Sequence, residues 1–418
     1  MIISIKNKFS SLNPIDLAIV LCSIGLNFMK LVPFGLLLIV IAAIYELYIS
    51  KTITISEGVK LKKKILFTLT IPFILAIWGF IFTSNFGKAF EDLGRLLPFL
   101  LFPFLFSFVS NQRKENIRKF VLFGFITGLF IRFFLDIYES AIGYTYDNNI
   151  QIFFYTYLDA DTNILSVITM FAVLYFLDYY TLNAPTLSRK RKILFNLIIL
   201  FFSTCILLLQ SRIVILFFFI GIGILFLYHW KRSEKWSILL TLLFSCSLML
   251  IPAFQGRFQV VASETKKLTE SNEINPTDSI AIENLPCMSS TELRFNALKA
   301  SWKVFKRNPI FGVGTGDWRD DLVKEYQVSN MPCNAHEQTA PHNQYMRTLL
   351  KYGFIGLVIY LGYLFFLFNK FRRNPKFGQL PFLITLILCG LGYDLIDVGS
   401  SAPVFAFFSS WLFIEQNK

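Results

Sequence analysis

Apolar stretches long enough to cross ~30 Å of hydrocarbon follow one another along most of this chain. Between them lie short turns rich in lysine and arginine: Lys51 to Lys64, Arg113 to Lys119, Arg189 to Lys192, Lys231 to Lys235 and Lys370 to Lys376. Lipid offers backbone amides no water to bond, so a spanning segment satisfies itself by coiling into a helix. The pattern therefore predicts an all-α polytopic membrane protein. Composition agrees, since 55% of residues are hydrophobic, only 16% are charged, and phenylalanine alone occurs 48 times. No cleavable signal peptide is expected, because the first apolar segment runs into the second without a small-residue cleavage motif.

A formal charge of +13 invites a nucleic-acid reading. Its placement argues against one: basic turns alternate with turns that carry few charges, which is the positive-inside pattern of loops facing an anionic cytoplasmic leaflet. Membrane lipids, and not nucleic acid, are the partners this charge implies. Taken together, apolar runs and basic turns predict about twelve spans, near 14–30, 32–49, 65–83, 92–110, 119–138, 159–179, 193–210, 213–230, 236–253, 352–369, 379–394 and 400–415. The chain then divides into helices one to nine (1–253), an outer segment (254–351) and helices ten to twelve (352–418), with both termini cytoplasmic.

The outer segment is the long polar interruption, and it holds two of the three histidines. A pore or carrier rarely needs so large a polar insert; an enzyme working on a lipid-linked substrate at the membrane face does. Within it, Ser290-Thr291-Glu292 offers a hydroxyl cap for a helix that Asn308-Pro309 stops. Leu293, Ala297, Leu298, Ala300, Trp302 and Phe305 favour one side of this helix, and Arg294, Asn296, Lys299, Lys303 and Lys306 the other, so it should lie along the membrane surface. A short helix follows from Arg319 to Gln327, then a loop from Val328 to Pro341, then a helix from near His342 into span ten. Of the six cysteines, Cys22, Cys205, Cys246 and Cys389 fall in spans, while Cys287 and Cys333 fall in the outer segment. An oxidising compartment allows a Cys287–Cys333 disulfide if their Cα atoms approach within ~7 Å. No His/Cys spacing suggests a metal site.

Arg212 follows Ser211 at the outer end of span seven, beside apolar Ile213 and Val214. It reads either as an anion ligand, its guanidinium fork suiting phosphate, or as an interfacial arginine snorkelling to water. Arg294 sits at the positively polarised first turn of the outer helix, where it reads as a second anion ligand or as part of a solvated face; for Lys299, Lys303, Lys306 and Arg307 the solvated face is the better reading. His342 is the candidate for proton transfer, against a plain helix-capping role. His336 and His229 read as structural. Gly312, Gly314 and Gly316 lack the lysine and preceding strand of a phosphate loop and read as a tight turn that lets Trp318 pack back. Asp394 and Asp397 at the end of span eleven could pair with an arginine or contact an acceptor. Tyr157, Asp159 and Asp161 are similar, weaker candidates. Arg132 and Asp136, deep in span five, stand at pairing distance along a helix.

The ordered set Gln210-Ser211-Arg212, Glu292-Leu293-Arg294, Trp302, Asn308-Pro309-Ile310-Phe311-Gly312-Val313-Gly314, His342-Asn343-Gln344-Tyr345 and Leu350-Lys351-Tyr352-Gly353 resembles the O-antigen ligase superfamily. That superfamily includes ligases, O-antigen polymerases and O-linked protein oligosaccharyltransferases. The resemblance implies a GT-C-like fold with the large, partly helical periplasmic loop between helices nine and ten. It implies that Arg212 and Arg294 bind undecaprenyl pyrophosphate and that His342 is the essential histidine, with Asn343 and Ser211 in support. Gln210-Ser211 departs from the commoner forms, which puts the role of Ser211 in doubt. It further implies transfer of a glycan from its undecaprenyl-pyrophosphate carrier to a hydroxyl of lipid A–core, at the periplasmic face of the bacterial inner membrane, without cofactor, metal or nucleotide. A polymerase, a protein-directed transferase and, from another class, a lipid-linked sugar transporter are the rivals. Paired broken helices or inverted repeats, which favour a transporter, are not seen in the sequence.

Overall fold

As a computed structural model, the chain is described over residues 13–49, 63–109, 111–147, 162–209, 211–250 and 290–414. Among these residues the regular structure is helical throughout, with no strand. The first half holds α1 (Pro14–Gly25), α2 (Val32–Ile44), α3 (Lys63–Leu69), α4 (Ile71–Gly79), α5 (Phe86–Leu96), α6 (Pro98–Ser107), α7 (Asn111–Asp147), α8 (Thr162–Asn183), α9 (Arg189–Leu208), α10 (Arg212–Tyr228) and α11 (Lys235–Met249). The outer segment contributes α12 (Ser290–Arg307), α13 (Trp318–Val328) and α14 (Pro332–Glu337). Three more helices close the chain: α15 (Gln344–Arg373), α16 (Gln379–Cys389) and α17 (Ala402–Phe413).

Four of these, α7, α8, α9 and α15, contain a stretch long and apolar enough to cross a membrane alone. The α3–α4 pair, bent by 59°, adds a fifth if counted as one span. The bend falls where Pro72 enters α4 and cannot donate to the preceding turn. Helices α1, α2, α10, α11, α16 and α17 are apolar but shorter. The expected fourth span is split in two: α5 carries Glu91, Asp92 and Arg95, and α6 restarts at Pro98. The count by length is thus four or five among the described residues, against the twelve expected from hydropathy. The chain is a multi-pass membrane protein by this count too.

Helix α8 runs through the middle, with its apolar window buried throughout. Aromatic rings lock it to its neighbours: Phe176 stacks on Phe195 of α9 at 4.8 Å, and Phe171 meets Phe408 of α17 at the same distance. Arg132 and Asp136 of α7 form the expected pair at 3.0 Å.

The outer helices build a second, smaller core. Ala297, Ala300 and Val304 of α12 meet Trp318, Leu322 and Tyr326 of α13, together with Val313 and Leu350. This stripe has the 3–4 spacing of one helical face. Trp302, expected on that face, instead stands 47% exposed beside Phe305. The expected loop 328–341 also contains the short α14, held by Asn334 donating to the Leu293 carbonyl at 2.8 Å.

The glycine-rich turn joins the two cores. Gly353, with φ +65 and ψ −164, interrupts α15 and so frees two carbonyls and two amides of the helix ladder. The 309–314 segment takes them up. Val313 and Gly314 donate to the carbonyls of Leu350 and Lys351, while Phe354 and Ile355 donate to those of Pro309 and Ile310. Thr315 and Gly316 in turn donate to the Gly79 carbonyl and the Thr83 hydroxyl. Backbone amides of this turn are thereby engaged with protein, which fits the tight-turn reading and leaves no phosphate cradle.

Candidate functional site

Helix α15 begins two residues after His342, and its start fixes that histidine. Asn343 caps the helix, its side-chain oxygen accepting from the Met346 amide at 2.9 Å. Its own backbone amide donates to Asp394 at 3.0 Å, and its side-chain amide to the Leu391 carbonyl at 2.9 Å. Gln344, buried, adds bonds to Asp397 at 2.7 Å and to the Gly390 carbonyl and Ile396 amide. The 390–401 loop is thus strapped across the start of α15. Between these fixed groups, His342 is held at φ +49, a left-handed conformation unusual for a residue with a side chain.

One turn further along, Arg347 pairs with Asp394 at 3.0 Å and lies over the Trp318 ring at 4.2 Å. Another turn on, Lys351 bridges Asp92 at 2.8 Å and Asp397 at 2.6 Å. Trp318 donates its indole N–H to Asp92, which also accepts from Arg95. Arg347, Lys351, Asp92, Asp394 and Asp397 are buried, so each charge depends on its partner. Burial alone would push the Asp397 carboxyl up; the nearby Lys351 and Arg347 charges outweigh it and hold it down to about 2. The cluster joins α5, α13, α15 and the 390–401 loop into one unit.

On the other side of this loop stands Tyr393. Its phenol lies 2.6 Å from the Ser211 hydroxyl and 3.3 Å from the Asn163 side-chain oxygen. Arg294 sits over its ring at 5.3 Å. Ser211 is buried at the start of α10, directly before Arg212. Tyr393 therefore touches both the α10 start that presents Arg212 and the α12 arginine, while its neighbour Asp394 holds the residue after His342. Elements carrying the three expected site residues, far apart in sequence, converge on two adjacent loop residues.

The candidates fall out as follows. Asp394 pairs with an arginine, as one reading had it; Asp397 takes a lysine instead. Asn343 and Ser211 both bond residues of the 390–401 loop. Lys303 and Arg307, expected on a solvated face, instead reach Glu325 of α13, which is 1% exposed. Burial works against ionising Glu325, and the Ser329 hydroxyl, Lys303 and Arg307 overcome it, leaving the carboxyl below its ordinary range. His229 is buried and bonds Asp178 at 2.7 Å, while His336 is exposed. Cys333 is disulfide-bonded, and Cys22, Cys205, Cys246 and Cys389 are free. Gln210, Cys287, Tyr157, Asp159 and Asp161 lie outside the described residues. Sequence reasoning missed Tyr393, Asp92 and Arg347, and carried Lys351 only inside a motif without a role. Charged residues at span ends were the available signal for the last three; Tyr393 gave none.

Fold and site together define a multi-pass helical membrane protein whose buried polar cluster sits between the helices of residues 290–337 and the ends of the apolar helices. Residues 197–361 match the family model described as O-antigen ligase, a match that supports the superfamily of O-antigen ligase- and polymerase-type glycosyltransferases. No curated protein matches the chain.

Proposed function

We propose that this protein moves a glycan from undecaprenyl pyrophosphate to a hydroxyl of lipid A–core oligosaccharide. In this reading the site faces the periplasm, the twelve helices lie in the bacterial inner membrane and both termini are cytoplasmic. Arg212 and Arg294 neutralise the pyrophosphate, and His342 takes the proton of the acceptor hydroxyl. That oxygen forms the new bond to the anomeric carbon, the bond from that carbon to the phosphate oxygen breaks, and undecaprenyl pyrophosphate leaves with the electron pair. Pyrophosphate is already a good leaving group, so charge neutralisation and acceptor placement are the main tasks, and the two arginines give a metal ion no necessary role. The observation that carries the reading is the meeting of Ser211, Arg294 and the His342 side of α15 on Tyr393 and Asp394. The reading includes a Cys287–Cys333 bridge across the outer segment, which peptide mapping with and without reductant checks.

The test is transfer by purified protein, supplied with undecaprenyl-pyrophosphate-linked glycan and lipid A–core lacking O-antigen, in buffer with chelator. Wild type should extend the core, and His342→Ala should bind donor without transferring it. Longer carrier-linked chains with an untouched core would make the enzyme a polymerase. Donor bound but no product of either kind would favour a protein acceptor or a transporter.

A further inference from the structure

We infer that Tyr393 is a positioning residue that sets the separation of the two arginines around the donor pyrophosphate. The inference rests on the donor reading given above. Tyr393 is bonded to the turn that presents Arg212 and carries Arg294 over its ring. Ser211, whose hydroxyl is 2.6 Å from the phenol, stands at the N-cap position directly before Arg212 opens α10. Arg294 is held by the ring face, its guanidinium 5.3 Å from the ring centroid. The Asn163 side-chain oxygen of α8 lies 3.2 Å from the Ser211 hydroxyl and 3.3 Å from that of Tyr393, accepts from whichever of the two does not donate to the other, and so anchors the pair to a buried helix.

Tyr393 is itself 3% exposed, so these bonds are shielded from water and their geometry is tight. Its backbone is fixed from the next residue, because Asp394 accepts from the Asn343 amide and from Arg347. Movement of the phenol would shift Arg294 relative to Arg212, whereas Asn343, the residue after His342, is bonded to Asp394 and Leu391. The tyrosine therefore governs donor capture, and the proton-transfer step lies with the other side of the loop. Removing the hydroxyl should loosen the arginine pair and leave the chemistry on bound donor intact.

The experiment uses full-length protein in lipid nanodiscs and measures binding of undecaprenyl-pyrophosphate-linked glycan, then KM and kcat for that donor. Tyr393→Phe keeps the ring under Arg294 and removes only the hydroxyl. Its donor Kd and KM should rise roughly fivefold to tenfold, about the net worth of one lost hydrogen bond, with kcat within about twofold of wild type. Ser211→Ala breaks the same contact from the other side and should reproduce the shift. The double variant should be no worse than either single one, since both remove one link. Unchanged donor binding in two well-folded variants overturns the inference and leaves the donor reading standing. Failure of wild type to bind the carrier at all overturns that reading, and this inference with it.

Discussion

His342 holds a backbone conformation that costs a side-chain-bearing residue about 1–3 kcal/mol, and the bonds around Asn343 maintain it. Asparagine tolerates the left-handed region better than most residues. His342→Asn should therefore fold with thermal stability in detergent close to wild type. Transfer should still fall by roughly a hundredfold or more, since the general base is gone. A β-branched replacement such as His342→Val should lose stability as well, which separates the two effects. At this scale the sequence offers candidates where a residue carries its chemistry openly: Arg212 and His342 by type and position, Arg294 mostly through the family resemblance. Tyr393 could not be singled out, because a tyrosine at a span end reads as an ordinary interfacial aromatic. Its contact with Ser211 spans 182 residues of sequence, a distance no local pattern crosses.

Among elements, α15 shows how a helix can be broken without leaving polar backbone unsatisfied. A Cβ at Gly353 would lie 2.2 Å from the Ile310 carbonyl oxygen, at a φ that disfavours side chains. Gly353→Ala should cost at least about 2 kcal/mol and lower the melting temperature in detergent. The α12–α13 contact carries a pH signature. Glu325 has a lowered carboxyl pKa in the folded protein, so its contribution is complete above the ordinary carboxylate value of about 4.3. The contribution should fade as pH drops below that value through the lowered native one. Hydrogen exchange across α12 and α13 should rise over this window in wild type and show no such step in Glu325→Gln. Element boundaries were well marked locally: Ser290 and Asn308-Pro309 bracket α12, and Trp318–Val328 lies within a residue of expectation at each end. The break at Gly353 was not legible, since its partners come from 309–314 and glycine within a span is common.

At the scale of the molecule, apolar periodicity announced the class, whereas the buried ion cluster depends on tertiary packing alone. Lys351 neutralises two carboxylates from separate elements, and taking away one member of a buried pair typically costs ~3–5 kcal/mol. Lys351→Met should destabilise by about that much in a denaturation series. Adding Asp92→Asn and Asp397→Asn should recover most of the loss, because no buried charge is then left facing an empty partner. The splice at 309–314 bears on exchanging outer segments between related enzymes to change the acceptor. Residues 290–341 are not a detachable cassette: a graft ending there would bring in a foreign 309–314 turn against the native 350–355 register, mismatching four backbone bonds at the seam. A chimera that keeps the seam intact must therefore move its cut beyond residue 355.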